Sequence, residues 1–235
     1  MTSEPSGLPE RGRLFSPLLE AAVRLASRGH YNQFRKSAGA LQEAAPNSSL
    51  PKRVPYVAHL MGTMCILARV GVRDEVLAAA ILHDYLEDVP DPNGREAIRT
   101  VVGDEVLDLV LEVTEHKRRG MDQSATWDLR KREQIEHIAV MPRDAVLIKG
   151  ADVLHNLQSL ITDLEITDDP DIVWGAFNAD VDRQLWYFTN VAHAVAERLG
   201  DHPIQRALDT AIDRLRSLTD SEADAGLSRG RDRGP

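Results

Sequence analysis

Cysteine is almost missing from this chain: only Cys65 is present, so an intrachain disulfide is impossible and a zinc cluster built on thiolates is excluded. That scarcity points to a reducing, cytoplasmic setting. A membrane-length apolar run is missing as well. The stretch Val54 to Ala68 is free of Lys, Arg, Asp and Glu, but it is interrupted by Pro55 and His59 and is too short to span a bilayer. Met1 to Gly12 has no apolar core and reads as neither signal peptide nor anchor. An excess of positive charge is also absent. Lys and Arg number 28 against 37 Asp and Glu, a formal net charge of −9, which argues against a protein that holds nucleic acid through a global cationic field. Alternating strands, internal repeats and heptads are not found either.

What is present suits one soluble globular domain. The 235 residues are 43% hydrophobic and 28% charged, enough to bury one sizeable core without staples. Apolar residues recur at three- and four-residue spacing almost throughout, which predicts an all-α bundle. A first helix starts at a Ser16 cap with Pro17 at its first position and stops at Gly29. Residues 37–54 read as a loop or insertion, since Pro46 and Pro51 break any helix there. Helices are expected over 56–69 and, from an Asp74 cap, over 74–88. Further helices fit 94–101, 104–115, 126–140, 143–161, 172–199 and 203–218. The domain thus covers 15–218, between a flexible 1–14 and a tail, 219–235, too poor in apolar residues to order.

The chemistry concentrates at LHDYLED. Seven apolar residues, Val76 to Leu82, run straight into His83, Asp84, Glu87 and Asp88. An imidazole beside a carboxylate at the end of a buried segment is unfavourable unless hydrogen bonds or a cation satisfy both. Two adjacent residues cannot enclose an ion, so other helices must contribute, and His59 in PYVAHL and Asp152 in KGADVLHN stand in suitable apolar settings. Taken singly, His59 fits a satisfied core histidine and Asp152 a cap or ion-pair partner. Taken together, two His and two Asp favour manganese, iron, zinc or another first-row ion. Basic clusters at Arg35-Lys36, Lys52-Arg53, Lys117-Arg118-Arg119 and Arg130-Lys131-Arg132 offer local charge for a phosphorylated small molecule, or are simply solvated helix ends and loops.

The order His59, His83-Asp84, Asp152 resembles the HD-domain metal-dependent phosphohydrolases. The form HDxxED, with PYxxH before it and ADxxHN after it, is similar to the hydrolase domain of Rel/Spo homologues, which removes pyrophosphate from the ribose 3′ position of (p)ppGpp. The segments GHxxQxRK (Gly29 to Lys36) and WxxRK (Trp127 to Lys131) share the resemblance. It implies a single HD-domain helical bundle in which His59, His83, Asp84 and Asp152 ligate Mn2+ and Glu87 and Asp88 are the catalytic carboxylates. It further implies substrate contacts from Arg35, Lys36, Lys131 and Asn156, with Arg53 competing for the basic position, and from Arg183 and Tyr187. Two departures stand out: Leu60 where the family often has Pro, and Gly150 where Leu usually precedes Ala-Asp. Neither removes a donor. The remaining histidines, His30, His116, His137, His155, His193 and His202, read as structural or exposed, and Cys65 as a buried helix residue.

The expected activity is hydrolysis of the (p)ppGpp 3′-pyrophosphate to GDP or GTP and pyrophosphate. Its partner would be a small nucleotide, with neither nucleic acid nor membrane involved. Two alternatives stay open. One is an HD phosphohydrolase acting on another ribose-phosphorylated nucleotide such as NADPH. The other is a non-catalytic nucleotide-sensing module, whose expected signature, loss of Glu87 or Asp88, is missing.

Overall fold

The computed structural model describes residues 14–35, 54–118, 120–167 and 169–231, with side chains to residue 220. The 37–54 insertion up to residue 53, the first 13 residues, and the site candidates Lys36 and Arg53 lie outside the described residues. Among the described residues the chain is helical, apart from one isolated antiparallel bridge between Phe34 and Pro55. No described helix is long and apolar enough to cross a membrane.

Helix α1 (Pro17–Gly29) begins as expected: the Ser16 side chain accepts from Leu19 N–H at 3.4 Å and Pro17 opens the helix. α2 (Val57–Val70) ends on Gly71 in the left-handed region, φ 77°, where a side chain would be strained. α3 (Asp74–Leu82) starts one residue earlier than a cap at Asp74 requires, because Arg73 occupies the N-cap without a side-chain bond and Asp74 is already helical. The expected single helix over 74–88 is broken. Helical geometry lapses at His83-Asp84, with Asp84 at φ −93°, ψ 0°, and resumes in the short α4 (Tyr85–Asp88). α5 (Gly94–Val102) and α6 (Asp104–Val113) follow, then α7 (Trp127–Ile138) and the long α8 (Arg143–Ile166).

The helix expected over 172–199 is likewise two, α9 (Pro170–Trp174) and α10 (Val181–Leu199), separated where Asp180 caps α10 by accepting from Arg183 N–H at 2.9 Å. α11 (Pro203–Arg231) runs beyond Leu218, where order is expected to end.

α8 is the axis of the bundle, packing on α2, α3, α6, α10 and α11. Its apolar residues are buried on several sides, from Ala145 to Leu164. α3 is buried from Val76 to its end at Leu82, which explains its uninterrupted apolar sequence. Gly150 has a packing reason. A Cβ there would stand 3.0 Å from Ile204 Cγ2, so the missing side chain lets α8 and α11 approach. Cys65, expected in the core, is exposed on the outer face of α2, because Leu60, Thr63 and Leu67 take the inward positions.

Candidate active site

Three helices bring donor atoms to one point. His59 sits in the first turn of α2, His83 and Asp84 stand where α3 ends, and Asp152 lies midway along α8. His59 Nε2 and His83 Nε2 are 3.2 Å apart, and Asp84 Oδ2 is 3.2 Å from His83 Nε2 and 3.7 Å from His59 Nε2. Asp152 Oδ1 approaches the same nitrogens at 3.3 Å and 3.6 Å. Ligand atoms of His59, His83 and Asp84 all fall within 4.8 Å of one another.

The outer nitrogens decide the tautomers. His83 Nδ1 donates to the Ala80 carbonyl at 2.7 Å, so its Nε2 presents a lone pair inward. His59 Nδ1 meets His155 Nδ1 at 3.0 Å, an arrangement that lets His59 also face inward unprotonated. Two buried lone pairs facing each other, with carboxylate oxygens on both sides, are mutually repulsive unless a cation lies between them. The donor set therefore fits a divalent ion. Burial drives the His59 pKa down. Burial also opposes a proton on His83, but the Asp84 anion outweighs it and the imidazole stands well above its usual value, which expresses the same demand for positive charge.

Each carboxylate is oriented from outside. Tyr56 donates its hydroxyl to Asp84 Oδ2 at 2.5 Å. Lys149 donates to Asp152 Oδ2 at 3.0 Å and Asn156 to Asp152 Oδ1 at 2.7 Å. Burial works against ionisation of Asp152, but the Lys149 ammonium prevails and holds its pKa well below the ordinary range.

Glu87 and Asp88 border the same open cavity of about 650 Å³. They lie on α4, not on a continuation of α3, although Asp88 N–H still reaches Asp84 C=O at 2.9 Å. Glu87 accepts from Glu115 N–H at 2.6 Å and lies 3.5 Å from Lys117 Nζ, which also pairs with Asp88 Oδ1. Burial, helped by the Asp84 anion, pushes the Glu87 carboxyl up to about 7.

The expected substrate residues divide. Arg35 and Asn156 line the cavity and bond each other at 3.0 Å, with the guanidinium over the Tyr56 ring. The Phe34–Pro55 bridge sets this up, since Arg35 N–H donates to Val54 C=O and Tyr56 N–H to Gln33 C=O, both at 2.9 Å. Lys131 and Tyr187 also line it, the ammonium 4.8 Å from the ring centre. Arg183 does not. It bonds Asp128 at 2.9 Å and stacks over Trp127, so from this position it braces α7 against α10.

Several residues in or behind the cavity wall have roles that the sequence does not show. Glu115 is buried between Arg130 and Lys131, bonding Lys131 at 2.8 Å. Lys149 gives one local signal, a lone lysine in the apolar run VLIKGADVL, but its partner is visible only once the helix forms. His155 supports His59, and His30, almost fully buried, stacks on Tyr56 and bonds Gln33 at 2.7 Å.

The HD domain family matches residues 37–172 of the chain. Guanosine-3′,5′-bis(diphosphate) 3′-pyrophosphohydrolase MESH1 of Danio rerio is 34% identical over 145 residues, 61% of this chain and 68% of that protein. The MESH1 of Drosophila melanogaster is 40% identical over 112 residues, 47% of this chain and 58% of that one. A solved structure described as a metazoan orthologue of SpoT that hydrolyses ppGpp and plays a role in starvation responses has a TM-score of 0.64 at 28% identity. It covers 88% of this chain, and 99% of that chain is covered.

Proposed function

The chain belongs to the HD-domain family, and from that premise we propose that it is a metal-dependent hydrolase that removes the 3′-pyrophosphate of (p)ppGpp, giving GDP or GTP and pyrophosphate. The single observation that carries the reading is the 3.2 Å approach of His59 Nε2 to His83 Nε2 between two carboxylates. In this proposal His59, His83, Asp84 and Asp152 hold Mn2+. When bound, such an ion polarises a phosphoryl oxygen and makes water more acidic.

The chain's own groups do the rest. Glu87, with a carboxyl near neutral pKa beside the donor cluster, takes a proton from the attacking water. The water oxygen joins the phosphorus, the bond from phosphorus to the ribose 3′ oxygen breaks, and that oxygen takes up the proton Glu87 received and leaves as a hydroxyl. Asp88 lies on the same short helix and is the second carboxylate for proton traffic. Arg35 over Tyr56 offers a guanidinium face for the base, and Asn156 an amide for the ribose. Lys131 and Tyr187 offer a cation and a hydroxyl at the far wall for phosphate oxygens.

The test is incubation of manganese-loaded protein with ppGpp and, separately, NADPH, following pyrophosphate and orthophosphate. Pyrophosphate from ppGpp is expected. Orthophosphate from NADPH alone would move the substrate assignment to a dinucleotide phosphate, and silence on both would favour the sensing module.

A further inference from the structure

Among the described residues, four cations share the cavity wall with the candidate catalytic acids and act on Glu87: Lys117, Arg130, Lys131 and Lys149. All four are paired with carboxylates. Arg130 and Lys131 pair with the buried Glu115, and Lys149 with Asp152. Their side chains are 7%, 18% and 8% exposed, whereas that of Lys117 is 30% exposed. Lys117 is therefore the one of the four that an incoming ligand can reach most directly.

Its backbone is held while its head group is not enclosed. Gln123 Nε2 donates to the Lys117 carbonyl at 3.0 Å. The next residue, Arg118, has φ 43°, a left-handed conformation that a non-glycine residue keeps only where its surroundings impose it. The ammonium contacts Asp88 Oδ1 and lies 3.5 Å from Glu87 Oε2. An ammonium has three donors, and no third partner is found among the described residues. Beyond it opens a second hollow of about 730 Å³, which shares Glu87, Glu115 and Lys117 with the main cavity and leaves the lysine stem room to turn.

The cavity wall carries cations as well as acids, but beside Glu87 and Asp88 the most exposed ammonium is that of Lys117, so a polyanion that approaches these two acids can be met by it. We propose that Lys117 is the specificity-determining residue that reads the distal phosphate of a ribose 3′-pyrophosphate, sharing its ammonium between that phosphate and Asp88. A 3′-monophosphate lacks the distal group, gains nothing from Lys117, and leaves the ammonium on both acids. The inference deepens the hydrolase reading and rests on it for the substrate class.

Two measurements test it. In the first, kcat/KM is compared for ppGpp and for guanosine 5′-diphosphate 3′-monophosphate. Lys117→Met is expected to lower the preference for ppGpp at least tenfold, and Lys117→Arg to restore part of it. In the second, equilibrium dialysis of trace labelled pyrophosphate against protein in excess manganese needs no turnover. There Lys117→Met should raise Kd at least tenfold, with orthophosphate binding changed less than twofold and manganese affinity unaltered. Lys117→Gln carries the same expectation should the Met variant melt early. Unchanged pyrophosphate binding, equal weakening for orthophosphate, or no pyrophosphate binding by the parent protein overturns the assignment. If the parent protein leaves ppGpp intact while Lys117→Met still loses pyrophosphate, the hydrolase reading falls and the diphosphate contact stands. If the parent hydrolyses ppGpp and the variant keeps both preference and binding, only the Lys117 assignment falls.

Discussion

Asp152 and Asp88 are both acids at the cavity wall, yet their surroundings assign them different duties. Asp152 has one oxygen beside both inward nitrogens and its other on Lys149, so Asp152→Ala should lose manganese and activity together. Asp88 pairs with Lys117 and does not belong to the His59, His83 and Asp84 donor group, so Asp88→Asn should retain manganese and lose turnover by 10²-fold or more. Metal content by atomic absorption beside steady-state kinetics checks the pair, and a fully active Asp88→Asn would remove the role given to that residue. Glu87 makes a pH prediction. Its folded-state pKa, about 7, lies above the ordinary 4.5, so the folded protein binds the extra proton and loses stability as pH rises through that interval. The loss is absent below the lower value and complete above the upper one, about 3 kcal/mol in all. Glu87→Gln cannot ionise. Relative to the parent, the metal-free variant should gain stability between pH 5 and pH 8, read from urea melts, and a constant difference across that range would contradict the assigned environment.

Between helices, the approach of α2 to α8 governs the nitrogen pair. A Cβ on Gly62 would stand 2.1 Å from the His155 ring, which in turn touches His59 Nδ1 at 3.0 Å. Gly62→Ala should therefore push the ring aside, destabilise the protein by about 1–3 kcal/mol and weaken manganese binding about tenfold. Calorimetric titration with a thermal melt measures both, and unchanged metal affinity would show that His155 does not support His59. Helix ends with side-chain or glycine signals, such as Ser16 and Gly71, are legible locally because their bonds join residues close in sequence. The lapse at His83-Asp84 is not. The Val76 to Asp88 stretch contains no Gly or Pro, and helical geometry yields there while Asp84 meets Tyr56 from a distant segment. The split between α9 and α10 was legible in retrospect at Gly175 and Asn178, but a continuing apolar period masked it.

Across the whole molecule, the proposed ligands come from α2, the end of α3 and α8, so an ion joining them cross-links separate parts of the bundle. An ion that binds only the folded form stabilises it. At a thousandfold excess over Kd the gain is about 4 kcal/mol, or about 10 °C in Tm for a chain of this size. Manganese should raise Tm by that order, a chelator should reverse it, and Asp152→Ala should abolish it, all by scanning fluorimetry. A manganese-independent Tm would count against an ion at this position.

The amino-acid order alone determined that this is a helical protein and which side chains are out of keeping with their apolar neighbours. Periodicity and the solvation demands of His59, His83, Asp84 and Asp152 are properties of short segments. Only the tertiary structure decided that Lys117 would cover Asp88 and that Arg183 would turn to Asp128 instead of the cavity, whereas Lys149 reaches Asp152 one turn along the same helix. The Lys117 and Arg183 pairings join residues far apart in sequence and depend on packing that sets which groups lose water together. A long, flexible cation has no preferred partner until the fold chooses one for it.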